Sequence, residues 1–207
     1  MRAYKRNNEL NGSLIQGWYL SDELVSKLLA NTQELYNSDE LHYSDNMKSY
    51  YGADFEFKLP KDLQKSYLDC LNKMVLTYEN TYEELKKLNY KLNKGINLQY
   101  WKPKEHYSSW HCEIRNEVKY IYRNLVFMTY LNDISTGGET EFIHQRVKIK
   151  PESGLTVIWP ANWTHRHRGC MTEEHKYAIT GWFELIPESQ DSHFNIPNRD
   201  ENKIFYS

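Results

Sequence analysis

Three short stretches of this chain hold the residue types that bind metals and anions. Trp110-His111-Cys112-Glu113 sets a histidine and a carboxylate two positions apart, and Thr164-His165-Arg166-His167 sets two histidines two apart. Lys176-Tyr177-Ala178-Ile179-Thr180 opens an alternating apolar run with a lysine. In an extended chain residues i and i+2 share a face. His111 and Glu113 are therefore expected to point the same way from one strand, with His165 or His167 joining them from another. Two imidazoles and a carboxylate on one side of an octahedral ion leave its other face open, the 2-His-1-carboxylate pattern. A lysine entering an apolar barrel needs an anionic partner, because an unpaired buried ammonium is costly. Each signal is weak alone: an H-x-E triplet arises often by chance, and a lysine at a strand end ordinarily stands in solvent. Cys112 is expected on the opposite face as a small core residue. His106, His144, His175 and His193 have no comparable neighbours and read as structural or exposed.

The surrounding periodicity supplies the scaffold. Ser21-Asp22-Glu23 is a helix start, and Leu24, Val25, Leu28, Leu29 and Leu35 carry a helical stripe through 22–36. The polar, tyrosine-rich stretch 37–59 reads as loop with one or two short strands. Pro60 opens a second apolar stripe over 61–89, as one helix or as two broken near Glu79-Asn80. From Gly95 the period becomes that of strands. Residues 96–101 alternate, 123–131 form a nearly continuous apolar strand, and 140–150 alternate with Arg146, Lys148 and Lys150 on one solvated side. Residues 155–159 and 176–185 complete the set, punctuated by Gly137-Gly138, Pro151 and Pro160. Helices followed by many short strands imply an α+β fold with a mainly β core, a double-sheet jelly roll carrying helices on one side.

Composition narrows the class further. A chain of 207 residues has room for one domain with a sizeable core. The expected division is helical support over 12–90, a core over 95–186 and a polar tail over 187–207. The formal charge of −2 offers no electrostatic case for nucleic acid or an anionic membrane surface. Three scattered cysteines make no disulfide framework and suit a reducing compartment. No apolar run has the length of a membrane span, and no apolar segment follows the basic N-terminus as in a signal peptide. A cytoplasmic protein is expected.

Residues 95–185 resemble the catalytic core of the Fe(II)/2-oxoglutarate-dependent dioxygenases, in their prolyl 4-hydroxylase-like branch. The likeness runs through Tyr100, the His111/Glu113 pair, Tyr130-Leu131-Asn132 and Gly137-Gly138-Glu139-Thr140-Glu141-Phe142. It continues through Lys150-Pro151, Gly154, Ile158-Trp159-Pro160, the Thr-His-x-His-Arg-Gly segment and the run from Lys176 to Trp182. It implies a double-stranded β-helix in which His111, Glu113 and His167 hold Fe(II). The spacing back from Lys176 favours His167 over His165, which would then touch substrate or support the site. The resemblance assigns 2-oxoglutarate to Lys176, assisted by Tyr100 or Tyr130 and by Thr180. Asn132, Glu139 and Thr140 would brace strand ends near the mouth. The implied reaction uses O2, converts 2-oxoglutarate to succinate and CO2, and hydroxylates an aliphatic C–H of a prolyl residue or a small amine- or amino-acid-like substrate. Ascorbate is a candidate reductant. The usual carboxylate of that family is aspartate, and Glu113 is one methylene longer. The principal rival is a cupin-type metal-binding barrel, an isomerase or a non-catalytic module. Cupins place their close histidine pair first, whereas here it comes last, and Lys176 would have no role in one.

Overall fold

The computed structural model describes residues 2–44 and 50–187. Of the expected tail only Pro187 is among them, and His193 lies outside the described residues.

Strand β1 (Arg2–Ala3) pairs with β2 (Gln16–Tyr19). Ser21 then accepts a hydrogen bond from the Leu24 amide and starts α1 (Asp22–Asn37), with Asp22 and Glu23 at its positive end. Its buried residues are Leu24, Val25, Leu28, Thr32 and Leu35, the stripe expected from their spacing. The tyrosine-rich stretch carries β3 (His42–Ser44), β4 (Tyr50–Asp54) and a one-turn helix α2 (Phe55–Lys58) capped by Asp54. Pro60 precedes α3 (Lys61–Thr81), which buries Leu63, Tyr67, Leu71, Met74, Val75 and Tyr78. The stripe over 61–89 is therefore not one helix. Tyr82 leaves helical space at φ −120°, ψ 76°, and a short 3-10 turn, Glu83–Lys87, follows.

The β core comprises β5 (Tyr90–Leu92), β6 (Asn97–Trp101), β7 (Arg123–Tyr130), β8 (Thr140–Phe142), β9 (Val147–Ile149), β10 (Leu155–Pro160), β11 (His167–Gly169) and β12 (Lys176–Leu185). A single helical turn, α4 (Val118–Ile121), precedes β7. Among the described residues these strands form two antiparallel sheets. The larger runs β1-β2-β10-β7-β12-β6-β4-β3, with β5 also paired to β12, and the smaller runs β11-β8-β9. The expected strand over 140–150 is thus a hairpin. Residues 143–146 turn the chain, and Lys148 comes opposite Glu141, which it meets at 3.3 Å.

Strand alternation divides the interior in two. Leu125, Phe127 and Leu98 of the larger sheet pack with Leu24, Leu28, Tyr67 and Met74 of the helices. On that side the Tyr67 hydroxyl bonds Thr129 Oγ1 at 2.8 Å, and Thr129 bonds Thr156 Oγ1 at 2.7 Å. Val126 and Tyr130, one position out of phase, pack with Phe142, Ile149, Val157 and Trp159 between the two sheets. This is the double-stranded β-helix with helices on one side, and the space between its sheets positions the site. No helix among the described residues is long and apolar enough to cross a membrane.

Candidate active site

His111 does not stand on a strand. It forms an isolated bridge with His167, through His111 N–H to His167 O (3.0 Å) and His167 N–H to His111 O (2.9 Å). The chain then bends, and Glu113 N–H donates to Ala161 O at 3.0 Å. His111 and Glu113 converge through this bend and not through strand alternation. His111 Nδ1 lies 3.0 Å from Ser109 O, and His167 Nδ1 lies 2.9 Å from His165 O. A carbonyl oxygen only accepts, so in each neutral ring Nδ1 carries the proton and Nε2 presents its lone pair. Those two Nε2 atoms face Glu113 Oε1 at 3.4 and 3.5 Å. The three atoms lie within 4.8 Å of one another. Burial works to raise the Glu113 carboxyl, but hydrogen bonds and charge from the two imidazoles in their protonated form hold it well below the usual carboxylate range. Burial pushes His111 down, with Glu113 opposing. Three lone pairs converging on one spot repel unless a proton or a metal ion lies among them, and this donor set suits a first-row divalent ion.

Arg123, at the start of β7, secures the other carboxylate oxygen, with Nη1 donating to Glu113 Oε2 at 2.9 Å. Its guanidinium lies 3.5 Å from the centroid of the Trp182 ring and 4.4 Å from that of Tyr120. Tyr107 packs edge-on to His111 at 4.0 Å, and Trp159 packs on His167 at 5.2 Å. The two imidazole rings are thus gripped by aromatics and by backbone carbonyls.

These groups line one wall of a cavity of about 350 Å³, and Lys176 lines it too. Lys176 is 7% exposed, and its Nζ donates to Gly138 O at 2.8 Å. The nearest aromatic rings are Trp101 at 5.1 Å and Tyr130 at 5.4 Å. Burial brings its pKa down to about 8. The Gly138 carbonyl is presented by a turn in which Gly137 takes φ +76°, and a Cβ there would collide with the Met171 carbonyl. No carboxylate of the described residues forms an ion pair with Lys176, whose polar partner is a neutral carbonyl.

Not every expected residue reaches the cavity. Tyr100 does not line it: Gln99 and Trp101 face the cavity, so strand alternation turns Tyr100 to the helix side. There its hydroxyl meets His175 Nδ1 at 2.7 Å, and its ring stacks on Tyr177. His165 is turned away as well, because Trp163–His165 is a 3-10 turn and the i, i+2 rule of a strand does not apply. Its Nε2 lies 2.8 Å from Ser13 O, and its Nδ1 lies 2.9 Å from Thr164 Oγ1. It neither lines the cavity nor joins the converging Nε2 atoms of the other two imidazoles. Tyr130 faces inward, with its hydroxyl 2.6 Å from Thr140 Oγ1, and Thr180 lines the cavity while donating to Phe127 O. Cys112 is half-buried, its Sγ toward Ile114 O. Asn132 joins two strand ends, donating to His175 O and accepting from Tyr177 N–H. Sequence reasoning missed Arg123, Trp101 and Trp182. The signal for Arg123 was a lone cation heading an otherwise apolar strand, the same kind of anomaly that marked Lys176.

Comparison with known proteins gives this geometry its family. Residues 97–184 match the family model described as the 2OG-Fe(II) oxygenase superfamily. The sequence matches no curated protein at a significant level. Among solved structures, a prolyl-4-hydroxylase from Pseudomonas putida superposes with a TM-score of 0.69 at 17% identity, covering 87% of this chain and 97% of its own. A viral collagen prolyl hydroxylase from Paramecium Bursaria Chlorella virus-1, in its 2OG complex, gives 0.64 at 16% identity, covering 85% and 98%. A Trichoplax adhaerens prolyl hydroxylase, in complex with a hypoxia inducible factor peptide fragment, gives 0.66 at 16% identity, covering 86% of each. At these identities the likeness shows a shared fold. Residues 97–184 carry the domain of the 2OG-Fe(II) oxygenase superfamily, and the chain has the prolyl 4-hydroxylase-like fold. It is a dioxygenase whose cofactors are Fe(II) and 2-oxoglutarate.

Proposed function

We propose that His111, Glu113 and His167 hold the Fe(II), that Lys176 binds the distal carboxylate of 2-oxoglutarate, and that the enzyme hydroxylates an aliphatic C–H of a peptide or amino-acid-like substrate. One observation carries the reading: three lone-pair donors within 4.8 Å share a cavity with a buried lysine that forms no ion pair with any carboxylate of the described residues. When bound, the metal and cosubstrate supply the oxidising chemistry. The chain's own residues do the rest. Backbone carbonyls fix both imidazoles with Nε2 forward, and Arg123 holds Glu113 by one oxygen. Lys176 sets the orientation of a dianion along the cavity, and Trp159, Trp182 and Tyr107 limit the access of water. The aromatic wall suits an apolar ring or aliphatic segment, and the peptide bound to the Trichoplax structure favours a prolyl residue as the first substrate to try. Cys70, Cys112 and Cys170 are free thiols, which supports a cytoplasmic, reducing setting.

The test joins metal binding to product. Under argon the wild type should bind one Fe(II) per chain and His111→Ala none. With O2 and 2-oxoglutarate added, prolyl peptides and small amino acids should be screened by mass spectrometry for a product heavier by one oxygen. Tight Fe(II) binding by His111→Ala would remove the site assignment. A hydroxylated product found only among non-peptide amines would remove the peptide reading.

A further inference from the structure

Trp101 and Lys176 face one another as direct partners across the β6–β12 pair. Both lie on the cavity wall, and they are 5% and 7% exposed. The Lys176 ammonium is 5.1 Å from the centroid of the Trp101 ring. The Trp101 Nε1–H, like those of Trp159 and Trp182 on the same cavity, has no hydrogen-bond partner among the described residues, and its ring is the one beside Lys176. Leaving a buried N–H unpaired is unfavourable, so this donor gains a partner when a ligand acceptor reaches the Trp101–Lys176 pair. The hydroxyls nearby are already engaged. Tyr130 bonds Thr140, whose Oγ1 also reaches Met128 Sδ at 3.7 Å, Thr180 donates to Phe127 O, and Tyr100 is turned to His175.

We propose that the Trp101 indole N–H is the second hydrogen-bond donor to the distal carboxylate of 2-oxoglutarate, beside the Lys176 ammonium. This deepens the reading of Lys176 given above and rests on it. An indole N–H donates and never accepts, which matches an ionised carboxylate that only accepts. Lys176 satisfies one carboxylate oxygen and Trp101 the other. The pair therefore selects 2-oxo acids that carry a second carboxylate and gives no help to those that lack one.

The experiment is calorimetric titration of the anaerobic full-length Fe(II) protein with 2-oxoglutarate and, separately, with 2-oxobutyrate, which has no distal carboxylate. Trp101→Phe should weaken 2-oxoglutarate roughly ten- to hundredfold, as expected for removing a donor to a charged group. Its affinity for 2-oxobutyrate should not change. Trp101→His, which restores a ring N–H, should recover part of the loss. A structural role would weaken Phe and His variants alike. Because a variant at a buried position can fail to fold, the wild type carries its own test. The indole resonance of Trp101, in protein labelled with nitrogen-15 and loaded with Zn(II), should shift downfield on adding 2-oxoglutarate and stay put with 2-oxobutyrate. An unmoved resonance, or equal losses for both acids, overturns the proposal. Lys176→Met is the separate control: if it leaves 2-oxoglutarate affinity intact, the Lys176 reading fails first and the Trp101 proposal falls with it.

Discussion

Replacing Lys176 with Met should make the ligand-free protein more stable at neutral pH, although it should cripple cosubstrate binding. Burial brings this ammonium from an ordinary 10.5 to about 8. At about 1.36 kcal/mol per pKa unit, that displacement corresponds to roughly 3 kcal/mol. Between pH 8 and 10.5 the unfolded chain holds a proton that the folded chain has released, so folding becomes more favourable as pH rises through this window. Below pH 8 both states are protonated, and the full cost of a buried cation with a carbonyl as its polar partner remains. Lys176→Met removes that cost and keeps the apolar volume. At pH 7 it should gain about 2–3 kcal/mol and raise the unfolding midpoint by roughly 5–10 °C for a chain of this size. By pH 10 the gain should shrink to about 1 kcal/mol. Urea unfolding in the presence of a chelator, at the two pH values, measures both. Adding 2-oxoglutarate and Fe(II) should narrow or reverse the order, because Fe(II) stabilises both proteins whereas 2-oxoglutarate stabilises the wild type far more. A variant that loses stability at pH 7, or whose gain does not depend on pH, would show that Lys176 is not a buried ammonium awaiting an anion.

The other expectations concern the metal end and the displaced residues. Glu113→Ala should lose Fe(II) binding and turnover together, whereas Glu113→Asp should keep part of each; titration of the anaerobic protein with Fe(II) separates them. If Glu113 holds the metal as proposed, Arg123→Met should weaken Fe(II) about 10- to 100-fold, because its contact to Glu113 Oε2 orients that carboxylate, and the same titration reads this out. His165→Ala should keep Fe(II) and lose about 1–3 kcal/mol of stability in urea, since it strands the Ser13 carbonyl it bonds. His167→Ala should lose the metal. Tyr100→Phe should leave the KM for 2-oxoglutarate unchanged and cost about 1 kcal/mol, because its hydroxyl serves His175 on the far face of the sheet.

What was legible in the sequence followed from periodicity over long spans. The stripes of α1 and α3 and the doubly buried β7 have spacings that packing does not override. The site was harder because it depends on local geometry that one residue changes. His111 and Glu113 converge through a bend and a bridge, so the two side chains meet although the strand rule that paired them does not operate there. The same rule misleads at His165, where a 3-10 turn replaces the strand. Tyr100 and Trp101 are adjacent, and only the register of β6 against β12 decides which of them faces the cavity. Arg123 was hidden because its partner lies ten positions upstream, across the loop carrying α4. A long-range ion pair of that kind has no periodic signature.

The most direct measurement is the release of succinate from 2-oxoglutarate under air, with and without added Fe(II), for the wild type beside Glu113→Ala and His165→Ala. Succinate should appear only with Fe(II), vanish in Glu113→Ala, and persist in His165→Ala to the extent that this variant is folded. Succinate formed by Glu113→Ala at the wild-type rate, or no Fe(II)-dependent succinate from the folded wild type, would contradict the assignment of this cavity as the Fe(II) and 2-oxoglutarate site.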